Sequence, residues 1–193
     1  MKSKEVEIIK LLLENKEKEL NINLIAKLLK KDYKNVHNIV TRLSTMQLVK
    51  LETFGKSYRV ILANKAHPLI YEAEYRRRID LLKNKNITVM YDSFKSMGSK
   101  LYVLLIFGSY AKKTQNQHSD IDLLFIVPDG SEEKMETEIQ TIAGTLPLKL
   151  HVNIFKESDF IAMKKSKETT VGSEAIMKNI ILHGVECYYE MIQ

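Results

Sequence analysis

One cysteine, Cys187, stands in 193 residues. No internal disulfide can form and no thiolate metal site can assemble, so a packed thiol near the C-terminus is its expected role. Long apolar runs are missing as well: nothing approaches the roughly 20 residues that a membrane-spanning helix needs. The opening MKSKEVEIIK is amphipathic and holds no cleavable apolar segment, so a cytoplasmic location is expected. There is no internal repeat and no low-complexity tract. What remains is an ordinary composition, 45% hydrophobic, in a chain long enough for one large domain or two small ones.

The formal charge is +6, and it is unevenly placed. Residues 1–66 hold 14 Lys and Arg against 7 Asp and Glu, an excess of seven positive charges, whereas residues 67–193 hold 16 against 17. The basic excess therefore belongs to the first third, as expected if that third meets a polyanion and the rest does not. A lysine-rich solvated surface is the plainer alternative.

Apolar residues at Val6, Ile9, Leu12 or Leu13, and Leu20 recur at helical spacing from Lys4 to about Leu20. A short helix fits Asn23 to Leu29. Asp32 then suits the N-cap of a third helix, with Val36, Ile39, Val40, Leu43 and Met46 as its buried stripe. The following LVKLETFGKSYRVILA contains two β-rich runs joined at Phe54-Gly55-Lys56. Three helices and a hairpin across residues 4–62 resemble the winged helix-turn-helix family of DNA-binding domains. The resemblance implies that the exposed side of the third helix enters the major groove of double-stranded DNA, presenting Lys34, Asn35, His37, Asn38, Thr41 and Arg42. It also implies that Lys56 and Arg59 in the wing lie near phosphates. The alternative is the polar half of an amphipathic helix. Winged domains commonly bind DNA in pairs, so a homodimer is expected.

His67-Pro68 breaks the pattern, and residues 69–83 read as a connecting helix begun by the proline. Its run Arg76-Arg77-Arg78 is expected to be solvated and is assigned no role. Beyond it the pattern turns to alternating helix and strand. Thr88–Met97 and Ser131–Ala143 have helical period; Leu101–Phe107, Ile121–Val127 and Leu148–Phe155 read as strands; helices at 157–165 and 173–183 follow. Apolar runs without alternation indicate strands covered on both faces. The expected organisation is a domain over 1–66, a connector over 67–85 and a second domain over 86–193.

The chemistry gathers in FGSYAKKTQNQHSDIDLLFIV, residues 107–127. A strand that ends at Gly108 and turns at once into a helix near Ser109 aims backbone N–H groups at one spot, which suits phosphate. Glycine permits close approach and serine adds a hydroxyl donor. Asp120 and Asp122 project from the same face of the next strand, roughly 7 Å apart. Two carboxylates at that reach can share divalent cations, and magnesium favours carboxylates completed by substrate phosphate oxygens. Together these features point to phosphoryl or nucleotidyl transfer.

Gly108-Ser109, ten intervening residues and Asp120-x-Asp122 before an apolar strand resemble the DNA-polymerase-β-like nucleotidyltransferase superfamily, specifically its minimal nucleotidyltransferases. The ending MKNIILHGVECYYEMI is similar to the closing helix and tail of that family, so the resemblance spans about 86–193. It implies an α+β fold, a mixed sheet flanked by helices. It further implies an NTP bound through Gly108 and Ser109, Mg²⁺ held by Asp120 and Asp122, and catalysis resting on Ser109 and the two aspartates. Lys113 stands where the family usually has glycine, at a site where a left-handed conformation costs a side chain about 1 kcal/mol. Lys112 and Lys113 are candidates to add charge near the triphosphate. The third carboxylate of the family is missing: on LKLHVNIF the same-face residues are His151 and Asn153, and Glu157 and Asp159 lie past the strand. His151 is a candidate base in its place, or a packed histidine.

Two functional readings follow. One is a DNA-binding protein that binds Mg·NTP and transfers a nucleoside monophosphate to an acceptor hydroxyl, with a helical HEPN-type protein partner implied by the antitoxins among minimal members of the family. The other is a transcription regulator whose degenerate transferase domain senses nucleotide or mediates oligomerisation. A structural DNA-binding protein that never meets nucleotide would require the serine turn and the aspartate pair to be coincidental.

Overall fold

The computed structural model describes residues 4–55, 57–63, 65–165 and 171–193. The chain forms two compact units, Met1–Arg76 together with Gln193, and Arg77–Ile192.

In the first unit, α1 (Lys4–Glu14) buries Val6, Ile8, Ile9, Leu12 and Leu13. It stops short of the expected Leu20. The Asn15 amide donates to the Leu11 carbonyl at 2.9 Å and closes the last turn, after which the chain turns through residues 15–18. Leu20 is buried all the same, and its carbonyl accepts from the Val60 N–H at 2.8 Å. Asn21 caps α2 (Ile22–Leu29) by accepting from the Leu24 N–H, and Asp32 caps α3 (Tyr33–Thr45) by accepting from the Asn35 N–H. The buried face of α3 is Val36, Ile39, Val40 and Leu43. Met46, expected on that face, lies beyond the last turn at the C-cap and is exposed. Strands β1 (Val49–Phe54) and β2 (Ser57–Leu62) pair antiparallel from Val49↔Leu62 to Phe54↔Ser57. This order of elements is compatible with a winged helix-turn-helix.

The division between the units falls inside α4 (Pro68–Leu81). The second unit continues through α5 (Lys85–Phe94), β3 (Val103–Ile106), α6 (Gly108–Lys112), β4 (Ile121–Val127), α7 (Glu132–Thr145) and β5 (Leu150–Lys156). It closes with α8 (Glu157–Lys165), α9 (Val171–Met177), β6 (Ile180–His183) and α10 (Val185–Ile192). The sheet has the order β5-β4-β3-β6, with β4 parallel to β5 and β3 antiparallel to both of its neighbours. It is a mixed sheet flanked by helices. All four residues of β3 are buried, as are all of β4 except Asp122, because both faces are covered. Phe94 of α5 meets Phe125 of β4 edge to face at 5.0 Å within a core that includes Leu104, Ile106, Leu123 and Ile139.

Cys187, expected to be packed, is exposed, and three further expectations are corrected here. First, α5 begins at Lys85 and ends at Phe94, three residues earlier at each end than the period over Thr88–Met97 suggests, because Asn84 caps it by accepting from the Asn86 and Ile87 N–H groups. Second, residues 173–183 do not form one helix. After α9, the buried run Ile180-Ile181-Leu182 becomes β6 and covers the free edge of β3. It ends at Gly184, where φ is +74° and a Cβ would stand 2.7 Å from the Tyr102 carbonyl oxygen. Third, the three arginines are not uniformly solvated. Arg77 is 3% exposed and donates to the Asn179 carbonyl, and Arg78 donates to the Leu182 carbonyl at 2.9 Å. Both anchor the ends of β6. Among the described residues no helix is long and apolar enough to cross a membrane.

Candidate functional site

The site grows from the meeting of two strand ends. Ile106 pairs with Leu123, so the end of β3 lies beside the start of β4. Phe107 continues extended, and its N–H donates to the Asp122 carbonyl at 3.1 Å, holding the turn that follows against β4. Gly108 then adopts φ +62°, and a Cβ there would stand 2.0 Å from Asp122 Oδ2. Only glycine meets both conditions, the left-handed backbone and the carboxylate resting on its α-carbon. The turn of Gly108 and Ser109 and the Asp122 carboxylate thus share one side of the sheet. Asp122 is partly buried, Ser109 is half-buried, and Asp120, just ahead of β4, is exposed.

Two lysines were candidates for the same cleft. Lys113 ends α6 with φ +59°, so the left-handed conformation is kept although glycine is absent. Its N–H closes on the Ser109 and Tyr110 carbonyls. Lys112 reaches away to α9, where its Nζ stands 2.7 Å from Glu174 Oε1. Nothing local in the sequence signals that pairing, because its partners are 62 positions apart.

Across from Asp122 the parallel register sets His151 of β5. Its Nδ1 lies 3.3 Å from Asp122 Oδ1, and the imidazole is 65% exposed. Asn153 on the same strand donates to the Leu123 carbonyl at 3.3 Å and is engaged with the sheet. Glu157 and Asp159 belong to α8, beyond the far end of β5. Five residues of strand separate His151 from Glu157, a span of about 20 Å, so neither acid replaces the missing carboxylate. Among the described residues no three of His, Cys, Asp and Glu gather closely enough to cage an ion unaided. Magnesium ordinarily takes one or two carboxylates and fills its remaining positions with water and substrate phosphate oxygens. The exposed Asp120 and the partly buried Asp122 fit the protein's half of such a set.

Residues 92–186 match the family model described as Polymerase beta, Nucleotidyltransferase. This part of the chain is a nucleotidyltransferase-family domain. Residues 1–66 match a second family model, described only as HVO_A0114. A solved structure titled "Crystal structure of the toxin-antitoxin with AMP-PNP" is similar at 20% identity with a TM-score of 0.36, covering 56% of this chain and 78% of that one. A likeness that distant carries no argument. No curated protein matches significantly.

Outside the nucleotidyltransferase-family domain, the residues expected to face DNA can be placed. Lys34, Asn35, His37, Asn38, Thr41 and Arg42 are all exposed on α3. Arg42 is ion-paired with Glu5, and Thr41 donates its hydroxyl to the His37 carbonyl at 3.0 Å. Arg59 on β2 is held between Glu19 at 3.2 Å and Glu52 at 3.5 Å. Lys56 lies outside the described residues. The exposed face of α3 therefore carries these polar side chains, but two of the residues expected to meet DNA, Arg42 on α3 and Arg59 on β2, have acidic neighbours of their own.

Proposed function

We propose that the protein binds an NTP with a divalent cation at the Gly108-Ser109 turn and transfers a nucleoside monophosphate to an acceptor hydroxyl, releasing pyrophosphate. The observation that carries this reading is the contact of the Asp122 carboxylate with the bare α-carbon of Gly108. It sets a cation ligand against the backbone that would receive phosphate. Gly108 would let the chain approach the phosphates closely, and the Ser109 hydroxyl would donate to a phosphate oxygen. Asp120 and Asp122 would hold the cation, expected to be Mg²⁺, which supplies charge neutralisation and Lewis acidity toward the phosphates when bound. Lys112 would join only by leaving Glu174, an exchange within reach because both partners are well exposed and such a pair contributes less than about 1 kcal/mol. The resemblance to minimal nucleotidyltransferases supports an antitoxin-like role with a helical HEPN-type partner as acceptor. The basic first unit, with the polar face of α3, supports double-stranded DNA as a second partner and a homodimer as the binding form.

One observation favours a second reading, in which the domain senses nucleotide without transferring it. His151 occupies the position opposite Asp122 where a third acid would be expected. Incubation with each labelled NTP and a divalent cation separates the two. Transfer of label or release of pyrophosphate, lost in Asp120→Ala and Asp122→Ala, is expected for the enzyme; saturable binding with no turnover over hours would establish the sensor and overturn the transferase.

A further inference from the structure

We propose that the outer edge of β5 is a surface on which two copies of this chain join, each β5 pairing antiparallel with the other across a two-fold axis at Asn153. β5 ends the sheet order β5-β4-β3-β6, and among the described residues no strand pairs with its outer side. The Ile121 N–H donates to the Lys149 carbonyl at 2.9 Å, so in this parallel ladder the odd-numbered residues of β5 turn their backbone groups to β4. Leu150, Val152, Ile154 and Lys156 therefore turn theirs outward. Nothing along the strand blunts that edge: it holds no proline, its register with β4 runs without a bulge, and no charged residue precedes Lys156. The opposite edge of the sheet is protected, because β6 has only four residues and its register with β3 shifts.

The strand itself selects a second copy as the occupant. A two-fold axis at Asn153 is the register that pairs all seven residues of β5, and it sets every outward backbone group opposite another, as an antiparallel ladder requires. Val152 then lies opposite Ile154 of the second copy, on the face where both residues pack against the core and stay partly exposed. On the other face His151 lies opposite Phe155 of the second copy, so the imidazole beside Asp122 gains an aromatic neighbour. The charges agree with this pairing. Lys149 is exposed just ahead of the strand, and the far end of the strand opens on a groove of about 700 Å³ where Glu132, Glu133, Glu136 and Asp159 outnumber Lys134 and Lys156. Antiparallel pairing carries each copy's Lys149 to the acidic groove of the other. The surface lies in the second unit and stands whether or not nucleotide or DNA binds.

The test uses the full chain with Cys187→Ser, which leaves no other thiol. Sedimentation equilibrium should show a monomer–dimer equilibrium. Asn153→Cys then places two thiols at the axis, where the Cα atoms of a non-hydrogen-bonded pair stand about 4.5 Å apart, within disulfide reach. Mild oxidation should convert it to a covalent dimer. His151→Cys separates the equivalent thiols by about 14 Å and should cross-link at least 10-fold more slowly. Val152→Pro removes an outward N–H without touching the ladder to β4, and the surface change Lys149→Glu sets like charges together. Each should raise the dimer dissociation constant about 10-fold or more at unchanged circular dichroism. A chain that stays monomeric at about 100 μM, equal cross-linking of the two cysteine variants, or a dissociation constant unmoved in both Val152→Pro and Lys149→Glu would each overturn the interface.

Discussion

Single side chains decide whether the cleft exists. Gly108→Ala places a methyl group against the Asp122 carboxylate at a positive φ, so left-handed strain and overpacking act together. A loss of about 2–4 kcal/mol is expected, read as a lower denaturant midpoint at unchanged m-value, and nucleotide binding should fall with it. Lys113 sits in the same backbone region at φ +59° with room for its side chain in solvent. Lys113→Gly should be neutral or stabilising by less than about 1 kcal/mol, since relief of strain is offset by a freer unfolded chain. Away from the cleft, burial pushes the Tyr102 hydroxyl up to about 12 from 10.0, with smaller contributions from Tyr91 and Glu138, and the hydroxyl donates to the Phe94 carbonyl at 3.1 Å. The folded protein therefore holds this proton more tightly than the unfolded chain does. The stability it contributes is complete below about pH 10 and is lost as pH rises toward 12. Thermal midpoints taken from pH 9 to 12 should fall steeply, and Tyr102→Phe should flatten that limb.

Elements built on local signals were legible, and those that depend on distant partners were not. Asp32 as a cap, the apolar runs of β3 and β4, and the Gly108 turn are readable because capping, two-sided burial and positive φ leave a mark in neighbouring residues. The run at 173–183 misled because Ile180, Ile181 and Leu182 satisfy a helical stripe and a short buried strand equally well. Only the free edge of β3, some 75 residues earlier, decides between them. The three arginines share one composition and have different fates. Arg76 pairs with Glu72 on its own helix, whereas Arg77 serves a carbonyl 102 positions away. Arg77→Ala leaves the Asn179 carbonyl without that donor and empties a buried volume, so a loss of about 2–4 kcal/mol is expected. Arg76→Ala should cost no more than about 0.5 kcal/mol. Comparable losses from the two variants in urea titrations would contradict the assignment. At the candidate site the turn at Gly108 was readable from neighbouring residues, while its approach to Asp122, the Lys112–Glu174 pair and the nearness of His151 to Asp122 needed the pairing of β3, β4 and β5 and the position of α9.

Across the whole chain, charge and chemistry are divided. The first unit carries the positive excess on which DNA binding is proposed, and the nucleotidyltransferase-family domain carries the Gly108–Asp122 contact on which nucleotide binding is proposed. Duplex binding should weaken steeply as salt rises, and Lys34→Ala or Arg42→Ala should reduce the logarithmic salt slope by about one each; an affinity indifferent to salt would make the first unit a protein-binding module. The account as a whole turns on acids and anion-receiving backbone meeting in one cleft. Equilibrium binding of each NTP by calorimetry, with and without a divalent cation, reports on that meeting for the wild type and for Asp122→Ala. The predicted result is cation-dependent binding of at least one NTP that Asp122→Ala weakens about 10-fold or more. Binding that ignores both the cation and Asp122, or no binding of any NTP, would contradict it.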